Sequence, residues 1–478
     1  MRFLFLHRLL HQDPLGILYL GAALRRAGHE VRVIDVALER RWEQAAVAFA
    51  PDAVGYSVTT GNQGFFSELN QRLKRRMEFV SVWGGPHATF FPEFIEEEGV
   101  DALCIGEGEA TVVDLADAID RRAPLAGIPG LHVKTASGVV ATEPRPPVRD
   151  LDTLALPDRT LLAHYPAYRC VSHRAVIASR GCPFGCTFCF NSRNRDLHRG
   201  KGPYVRVRSV EAVVEECVRH GEDPWATQIL FKDDLFARDE AFVAAFAERY
   251  RSRVGLPFVC NVRPDLMTER MADDLARAGA RLVAFGVESG SDRVRYEILR
   301  RRISRDAMRN TVRWLRQRGV QVYTFNILGI PGETEAEARQ TLELNAELAP
   351  DLAAFTLFQP YPRTPLGEKA IEMGLADRGY DGFSGTHYGP SMARMPRRMQ
   401  HENMVHLYPA AVRSRLLRSL VPGLVRLPAT PLYASFGFVY RATRFAFSLG
   451  YVTPRDFAIY SGHYRPKRPP GRRGSKDA

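Results

Sequence analysis

The first 120 residues alternate short apolar runs with stretches in which apolar side chains recur at helical spacing. Between the first two runs, Pro14 suits a first helical turn and Gly28 suits a helix end. The runs are Arg2–Leu6, Val31–Val36, Ala53–Val58, Phe79–Trp83 and Ala102–Ile105. Strands that alternate with helices predict a parallel sheet covered on both faces. We therefore expect a doubly wound α/β domain over residues 1–125.

The same alternation resumes near residue 175, where helical patterns such as Ser209–His220 and Ser304–Arg318 separate further apolar runs. These runs are Val176–Ser179, Gln228–Lys232, Phe258–Val262, Leu282–Val287, Gln321–Ile327 and Ala353–Phe358. Six βα units predict a partial or full parallel barrel over residues 174–380, with its chemistry at the C-terminal ends of the strands. Residues 126–173 are rich in proline and lack periodicity, so we expect a linker there.

Three polar and glycine-rich loops follow strands of the predicted N-terminal sheet. They contain Thr59, Thr60 and Gly61, then Gly84, Gly85, Pro86 and His87, then Gly106, Glu107, Gly108 and Glu109. Ligands of parallel sheets bind beyond the carboxyl ends of the strands, and glycines let a backbone approach them closely. An ordinary turn explains any one loop, but three on one edge make a ligand site an equally good hypothesis.

The composition is that of a globular protein, with 478 residues of which 45% are hydrophobic and 25% charged. Its charge is concentrated at one end. Residues 391–478 contain 16 Lys and Arg against 3 Asp and Glu, a net charge of +13, while the whole chain has +12. This asymmetry suggests contact with a membrane surface, a nucleic acid or an acidic substrate.

The sequence predicts a cytoplasmic protein. Residues 1–6 are apolar, but His7 and Arg8 follow at once, which is too short a run for a secretory signal. No charge-free apolar run reaches the roughly 20 residues of a membrane-spanning helix. In a reducing compartment, clustered cysteines indicate a metal site rather than a disulfide.

Three of the seven cysteines, Cys182, Cys186 and Cys189, lie in the segment IASRGCPFGCTFCFNS over residues 177–192. Structural zinc usually takes four ligands in two separated pairs, and a disulfide would leave one cysteine over. Glycines and aromatic residues surround the trio, which argues against a chance cluster of core cysteines. Three thiolates on one loop suit an iron–sulfur cluster in which one iron lacks a protein ligand and can bind a small molecule.

The spacing C-x3-C-x2-C, with the aromatic Phe188 before the third cysteine, resembles the radical S-adenosylmethionine (radical SAM) superfamily. The resemblance extends over residues 170–375 and includes four segments at predicted strand ends, ILFKDDLF (229–236), CNVRPDLM (260–267), FGVESGSDRV (285–294) and NILGIPGET (326–334). Residues 1–120, with GGPHAT (84–89) and GEGE (106–109), look like the Rossmann-like cobalamin-binding domain of one large subfamily. The cobalt-ligating D-x-H-x-x-G motif of mutases is missing, as is common in that subfamily.

This resemblance implies a [4Fe-4S] cluster on the three cysteines, with SAM bound to the open iron and cleaved to a 5′-deoxyadenosyl radical. It also implies that Glu288 accepts hydrogen bonds from the SAM ribose, although the carboxylate could instead cap the following helix. Further cofactor-binding candidates are Phe188, Gly329, Pro331 and Gly332, and cobalamin would bind near Thr59, Thr60, Gly84, Gly85, His87, Gly106, Glu107 and Gly108. Arg263 is a candidate partner for the SAM carboxylate or for a substrate anion.

Asp233 and Asp234 end the second barrel strand and allow two interpretations. Adjacent carboxylates can raise one pKa, as a proton-handling site requires. They could equally pair with Lys232 or Arg263.

The implied reaction is methylation of an unactivated carbon, supplied with electrons by a protein such as flavodoxin or ferredoxin. Two alternatives remain open at this point. One is radical rearrangement, cyclisation or carbon–carbon coupling without methyl transfer, and the other is a cobalamin-binding sensor or scaffold without radical chemistry.

The basic C-terminal region, residues 381–460, is predicted to be helical, and residues 461–478 to be disordered. Over residues 411–425, arginines lie beside an apolar helical face, a pattern typical of helices on anionic lipid. A small helical domain packed on the barrel explains the same pattern. The lipid interpretation favours a lipid-linked substrate. The resemblance argues against nucleic acid, because methylthiotransferases that act on transfer RNA carry a second cysteine trio in the N-terminal domain, where this chain has Cys104 alone.

Overall fold

A computed structural model describes residues 1–8, 13–380, 382–383 and 390–443, which fall into two compact units. The N-terminal unit comprises residues 1–169 together with 195–206 and 380–386. The barrel unit comprises residues 170–194, 207–379 and 387 onward. The residues predicted to be disordered, 461–478, lie outside the described residues.

The N-terminal unit contains a seven-stranded sheet of order β2-β1-β3-β4-β5-β6-β7. Its strands are β1 (Arg2–His7), β2 (Glu30–Asp35), β3 (Ala53–Ser57), β4 (Val80–Gly84), β5 (Ala102–Cys104), β6 (Leu131–Thr135) and β7 (Gly138–Ala141). Its helices are α1 (Leu15–Arg26), α2 (Trp42–Phe49), α3 (Gln63–Lys74), α4 (Gly85–Phe90), α5 (Glu109–Asp120) and α6 (Pro166–Arg169). Strands β1 to β5 pair in parallel, so the predicted doubly wound sheet is confirmed. The strand order reverses between β1 and β3, where open sheets of this kind bind ligands.

Two apolar clusters cover the two faces of this sheet. Within β1, Phe3 and Phe5 belong to one cluster and Leu4 and Leu6 to the other. Side chains alternate between the faces of a strand, and a strand covered by helices on both faces is apolar throughout. The continuous apolar run in the sequence therefore follows from burial of both faces.

Residues 126–173, which we expected to form a linker, are not without regular structure. They contain β6 and β7, which pair antiparallel with each other and extend the sheet from β5. Leu131 and Val133 are buried while His132 and Lys134 are half-buried. This period-two alternation is short and lies between prolines, which concealed it in the composition.

The barrel unit contains a parallel sheet of order β15-β14-β13-β12-β11-β8, which confirms the six predicted βα units. Its strands are β8 (His173–Val176), β11 (Gln228–Phe231), β12 (Phe258–Asn261), β13 (Ala280–Glu288), β14 (Gln321–Leu328) and β15 (Leu352–Leu357). Two-residue strands occur at β9 (Ser179–Arg180) and β10 (Arg206–Val207). Its helices are α8 (Val210–Gly221), α9 (Glu240–Arg253), α10 (Glu269–Ala278), α11 (Arg305–Gln317), α12 (Glu335–Leu348) and α13 (Pro365–Glu372). Helix α7 (Asn191–Leu197) begins in the barrel unit and ends in the N-terminal unit.

Side-chain caps start the helices that follow the first five strands of the barrel. In each case a hydroxyl or carboxylate oxygen accepts the backbone N–H three residues later, which satisfies an otherwise unpaired donor. The capping residues are Ser209, Asp239, Thr268, Ser304 and Thr334. These local signals fix where each strand-end loop stops, and thus the length of the loops available for a site.

The first barrel strand begins and ends earlier than expected, at His173–Val176 instead of Val176–Ser179. Beyond Val176 the chain leaves the sheet because the carboxylate of Asp233 accepts the backbone N–H of Ala178 at 3.1 Å and the hydroxyl of Ser179 at 2.5 Å. A side chain therefore replaces the neighbouring strand as the hydrogen-bond partner, which no local sequence pattern could indicate.

The C-terminal helices are α14 (Arg398–Ala411), α15 (Arg415–Leu424) and α16 (Thr430–Thr443). Helix α14 packs on β15 and α12, and Met404, Leu407 and Tyr408 share an apolar cluster with Phe355. The region therefore packs on the barrel as one of our two interpretations expected. No helix among the described residues is both long and apolar enough to cross a membrane.

Candidate functional site

The loop that contains the three cysteines follows β8 at the C-terminal end of the barrel sheet. Cys186 is buried, whereas Cys182 and Cys189 are half-buried. Between the cysteines, the backbone N–H of Thr187 donates to the carbonyl of Leu299 at 3.1 Å, and the carbonyl of Thr187 accepts from Leu366 at 2.9 Å. The middle of the loop is thus fixed by two distant segments of the barrel unit.

Asp233 fixes the start of the same loop through Ala178 and Ser179, and burial raises its pKa to about 6. Asp234 is exposed and accepts a hydrogen bond from the amide of Asn191. The contacts of Asp233 favour neither of our interpretations of this pair, because the groups it binds are a backbone amide and a hydroxyl.

Charged and polar groups contact the sulfur atoms of the trio. The guanidinium groups of Arg263 and Arg301 each place Nη1 near Sγ of Cys186, at 3.9 and 3.8 Å. The amide nitrogen of Asn191 lies 3.6 Å from Sγ of Cys189. These donors are suited to thiolates rather than to neutral thiols.

Burial makes two thiols of the trio harder to ionise. Among the described residues, no three side chains of metal-binding type converge on one ion position. Burial raises the pKa of Cys189 to about 11 and also raises the pKa of Cys182. Deprotonation of these thiols would therefore accompany metal binding, which releases protons from its ligands.

Glu288 ends β13 in a conformation that is unusual for a side chain other than glycine, with φ of +63°. Its carboxylate is buried and lies 4.0 Å from Nε of Arg301, and desolvation raises its pKa. Gly286 makes room for it, because a Cβ atom there would lie 1.9 Å from Oε1 of Glu288. Residues held in such strained conformations cluster at functional sites.

The loop after β14 contains Gly329, Pro331 and Gly332, and both glycines have positive φ. The carboxylate of Glu333 accepts the backbone N–H of Gly329 at 2.8 Å, so it braces this loop from within. Burial raises the pKa of Glu333 to about 8. Phe188 packs against a cluster at this end of the barrel that also includes Ile330, to which Pro331 is adjacent.

In the N-terminal unit, the predicted ligand loops lie at one edge of the sheet. Thr59 is exposed and Gly84 is half-buried, whereas His87 is fully buried. Nδ1 of His87 lies 3.2 Å from the hydroxyl of Thr60, and desolvation lowers the pKa of His87 to about 4. Gly85 has φ of +87°, and a Cβ atom there would lie 3.0 Å from the backbone of Val58. Close packing of neighbouring strands therefore explains this glycine without a ligand.

In the third loop, the carboxylate of Glu107 is bound by other residues of the N-terminal unit. Arg206 donates to both carboxylate oxygens of Glu107, at 2.9 and 2.7 Å, and Glu107 also accepts the backbone N–H of Val148. Glu107, a predicted cofactor-binding residue, thus anchors the segment 195–206 to its own unit. Gly106 and Gly108 beside it are half-buried, and Gly106 has φ of +83°.

Sequence reasoning missed Arg301 and Arg206. Arg301 lies in the run LRRR over residues 299–302, where nothing distinguishes it from its neighbours. Arg206 alternates with Arg208 in the segment RVR, and each proves to be buried beside a glutamate, Glu107 and Glu216 respectively. The sequence did offer one indication of these buried pairs, namely two arginines that alternate in a short β-like segment.

Two family models match the chain. Residues 176–344 match the Radical SAM superfamily, and residues 1–116 match the B12 binding domain. The protein named uncharacterized methyltransferase PH0819, from Pyrococcus horikoshii, is 33% identical over 372 residues, which cover 76% of this chain and 79% of that protein. An anaerobic magnesium-protoporphyrin IX monomethyl ester cyclase from Rubrivivax gelatinosus is 25% identical over 393 residues, 77% of this chain and 69% of the cyclase.

Among solved structures, the radical S-adenosylmethionine methyltransferase TsrM from Kitasatospora setae, with cobalamin and a [4Fe-4S] cluster bound, has a similar fold. It aligns with a TM-score of 0.64 at 21% identity, covering 83% of this chain and 81% of TsrM. At this identity the comparison shows the shared architecture.

Proposed function

This chain belongs to the radical SAM superfamily, as a member with a B12-binding domain, and on that premise we propose that it methylates an unactivated carbon of a small-molecule or lipid-like substrate. It is a cobalamin-dependent radical SAM enzyme whose cofactors are a [4Fe-4S] cluster, SAM and cobalamin. When bound, these groups supply a 5′-deoxyadenosyl radical and a methyl group. The proposal concerns the kind of carbon that is methylated and the class of substrate that carries it.

The residues present fit the cluster and SAM. Cys182, Cys186 and Cys189 would hold the cluster, and the donors at Cys186 and Cys189 would stabilise their thiolates. Glu288 is a buried carboxylate at a strand end, suited to accept hydrogen bonds from ribose hydroxyls. The backbone of the loop from Gly329 to Gly332, braced by Glu333, would pass close to the adenine.

The N-terminal unit fits cobalamin through its topology. Its strand order reverses between β1 and β3, and the loops containing Thr59, Gly84 and Gly106 lie at the carboxyl ends of strands, half-buried or exposed. Glu107 would contribute by holding its loop in place rather than by contacting the cofactor. His87 would support Thr60 from beneath, since its ring is fully buried.

The observation that carries this proposal is the cysteine loop with two guanidinium groups at Cys186, in a chain whose first 116 residues match a B12-binding domain. Anaerobic reconstitution followed by metal counting tests it. We expect about four iron and one cobalt per chain, and transfer of label from methyl-labelled SAM to carbon in the product. Iron without cobalt would indicate radical chemistry without cobalamin, and cobalt without iron would indicate a sensor or scaffold.

Product analysis also tests the second candidate reaction, ring closure or rearrangement without methyl transfer. One relative is named as a cyclase, so the assay should detect this reaction as well. An unlabelled product formed together with deoxyadenosine would replace the methylation proposal.

A lipid-like substrate is supported by the surface of the C-terminal helices. Large apolar side chains project to solvent from α15, α16 and the turn between them, namely Leu416, Leu420, Leu427, Leu432, Phe436, Phe438 and Val439. Leu416, Leu432 and Phe438 are 72%, 68% and 61% exposed. Arg413, Arg415 and Arg426 are exposed nearby in sequence. Exposed apolar groups beside arginines suit peripheral contact with an anionic membrane.

Flotation with phosphatidylserine vesicles tests this contact. Wild-type protein should float with the vesicles, and a variant with Leu416→Ser, Leu432→Ser and Phe438→Ser should not. Val47→Ser, an exposed apolar residue of α2, is the control and should float normally. Wild-type protein that remains at the bottom would remove the membrane proposal.

A further inference from the structure

Charges around the cysteine trio are distributed unevenly. Two guanidinium groups contact Sγ of Cys186, the most buried of the three cysteines. Two positive charges thus lie at Cys186, while the carboxylate of Asp234 lies near Cys189.

Both arginines are held firmly in place. The guanidinium of Arg263 stacks on the ring of Phe184, with Cζ 3.5 Å from the ring centroid, and Nε lies 2.8 Å from the carboxylate of Asp265. Arg301 donates through Nη2 to the carbonyl of Gly286 at 2.9 Å. Both side chains are buried, 6% and 9% exposed, so their charges are poorly screened by solvent.

Asp234 is tied to the opposite side through Asn191. The amide of Asn191 hydrogen-bonds to Asp234 and also lies 3.6 Å from Sγ of Cys189. The carboxylate therefore sits one side chain away from a ligand, and its negative charge opposes any added negative charge on the cluster.

Reduction adds one electron to a cluster held by thiolates. Hydrogen bonds and positive charge at the sulfurs stabilise the reduced form, and negative charge destabilises it, so both set the reduction potential.

We propose that Arg263 and Arg301 raise the reduction potential of the cluster through Cys186, while Asp234 lowers it from the side of Cys189. The inference rests on the proposed cluster and deepens it. The one electron taken up by the cluster is given up by a protein donor of the flavodoxin or ferredoxin class, and the two arginines bring the cluster within that donor's range. They are positioning residues for electron transfer.

A redox titration followed by electron paramagnetic resonance, on reconstituted protein without SAM, tests the proposal. The variants Arg263→Gln and Arg301→Gln should shift the midpoint potential to more negative values, and Asp234→Asn should shift it to more positive values. Arg263→Lys should restore most of the wild-type midpoint because it keeps the charge. Arg305→Gln, which removes another arginine of the barrel unit that contacts Asp292 and the carbonyl of Gly290, should leave it unchanged.

Opposite shifts in the arginine and aspartate variants support the proposal. Wild-type midpoints in both Arg263→Gln and Asp234→Asn would overturn it while leaving the proposed function intact. If Arg301→Gln fails to fold because Glu288 loses its partner, the other two variants still decide the matter. Wild-type protein that binds no cluster would overturn the proposed function as well.

Discussion

Two glycine-rich loops follow parallel strands, one in each unit, and resemble each other in sequence more than in chemistry. GEGE (106–109) follows β5 and GIPGE (329–333) follows β14. The carboxylate of Glu107 is neutralised by Arg206, which lies 99 residues away in the chain. That of Glu333 accepts two backbone amides four or fewer residues away. Glycines thus identify the edge of a sheet, while the partner of each carboxylate, near in the chain for Glu333 and distant for Glu107, decides what that carboxylate does.

Removing the cysteines should have the largest effect, and it separates the chemistry of the barrel unit from that of the N-terminal unit. Replacing Cys182, Cys186 and Cys189 by alanine should abolish iron binding and deoxyadenosine formation, because the cluster depends on those side chains. Cobalamin should still bind, because its site depends on the topology of the N-terminal unit. Iron and cobalt counts on reconstituted protein measure both, and loss of cobalt together with iron would contradict the contrast.

Glu107→Gln should cost about 3–5 kcal/mol of stability in the N-terminal unit, because it leaves the buried guanidinium of Arg206 without its charge partner. Thermal unfolding measures the loss. The matched control is Glu143→Gln, which breaks an exposed, solvent-screened pair with Lys201 and should cost far less. Equal effects of the two substitutions would show that burial does not matter here.

Glu333 should make the stability of the barrel unit depend on pH. Its pKa is about 8 in the folded state against an ordinary 4.5, so the folded protein binds more protons between these values and loses stability as pH rises through them. The loss is at most about 1.4 kcal/mol per pH unit. In Glu333→Gln this part of the loss should vanish, and unfolding midpoints at about pH 5.5 and about pH 8 measure the difference from wild type. If Glu333→Gln shows the same difference between the two pH values as wild type, a group other than Glu333 titrates in this range.

Gly286→Ala should weaken SAM binding about tenfold, about 1.4 kcal/mol, with the cluster still formed. The added Cβ would displace the carboxylate of Glu288 from its place beside the strand. Isothermal titration of the reconstituted protein with SAM measures the effect. Gly221→Ala, where the nearest atom to a new Cβ is 3.8 Å away, is the control. Unaltered affinity in Gly286→Ala would count against a ribose role for Glu288.

Periodicity predicted the five parallel strands of the N-terminal sheet and the six of the barrel, because both faces of each strand are covered and the apolar runs are therefore continuous. It missed the hairpin of β6 and β7, whose alternation spans few residues among prolines. The motif resemblance gave the family and the cysteine loop. It could not give Arg301, Arg206 or the role of Asp233, because those contacts join segments more than 50 residues apart.

Helix α14 shares its apolar cluster with β15 and α12, so the C-terminal region completes the barrel instead of following it. Phe355 and Leu328 would face water in a protein shortened at residue 380. Anyone dividing this chain for expression or domain exchange should therefore keep α14, α15 and α16 with the barrel. By the same logic, an insertion or deletion near residue 400 would damage the barrel itself.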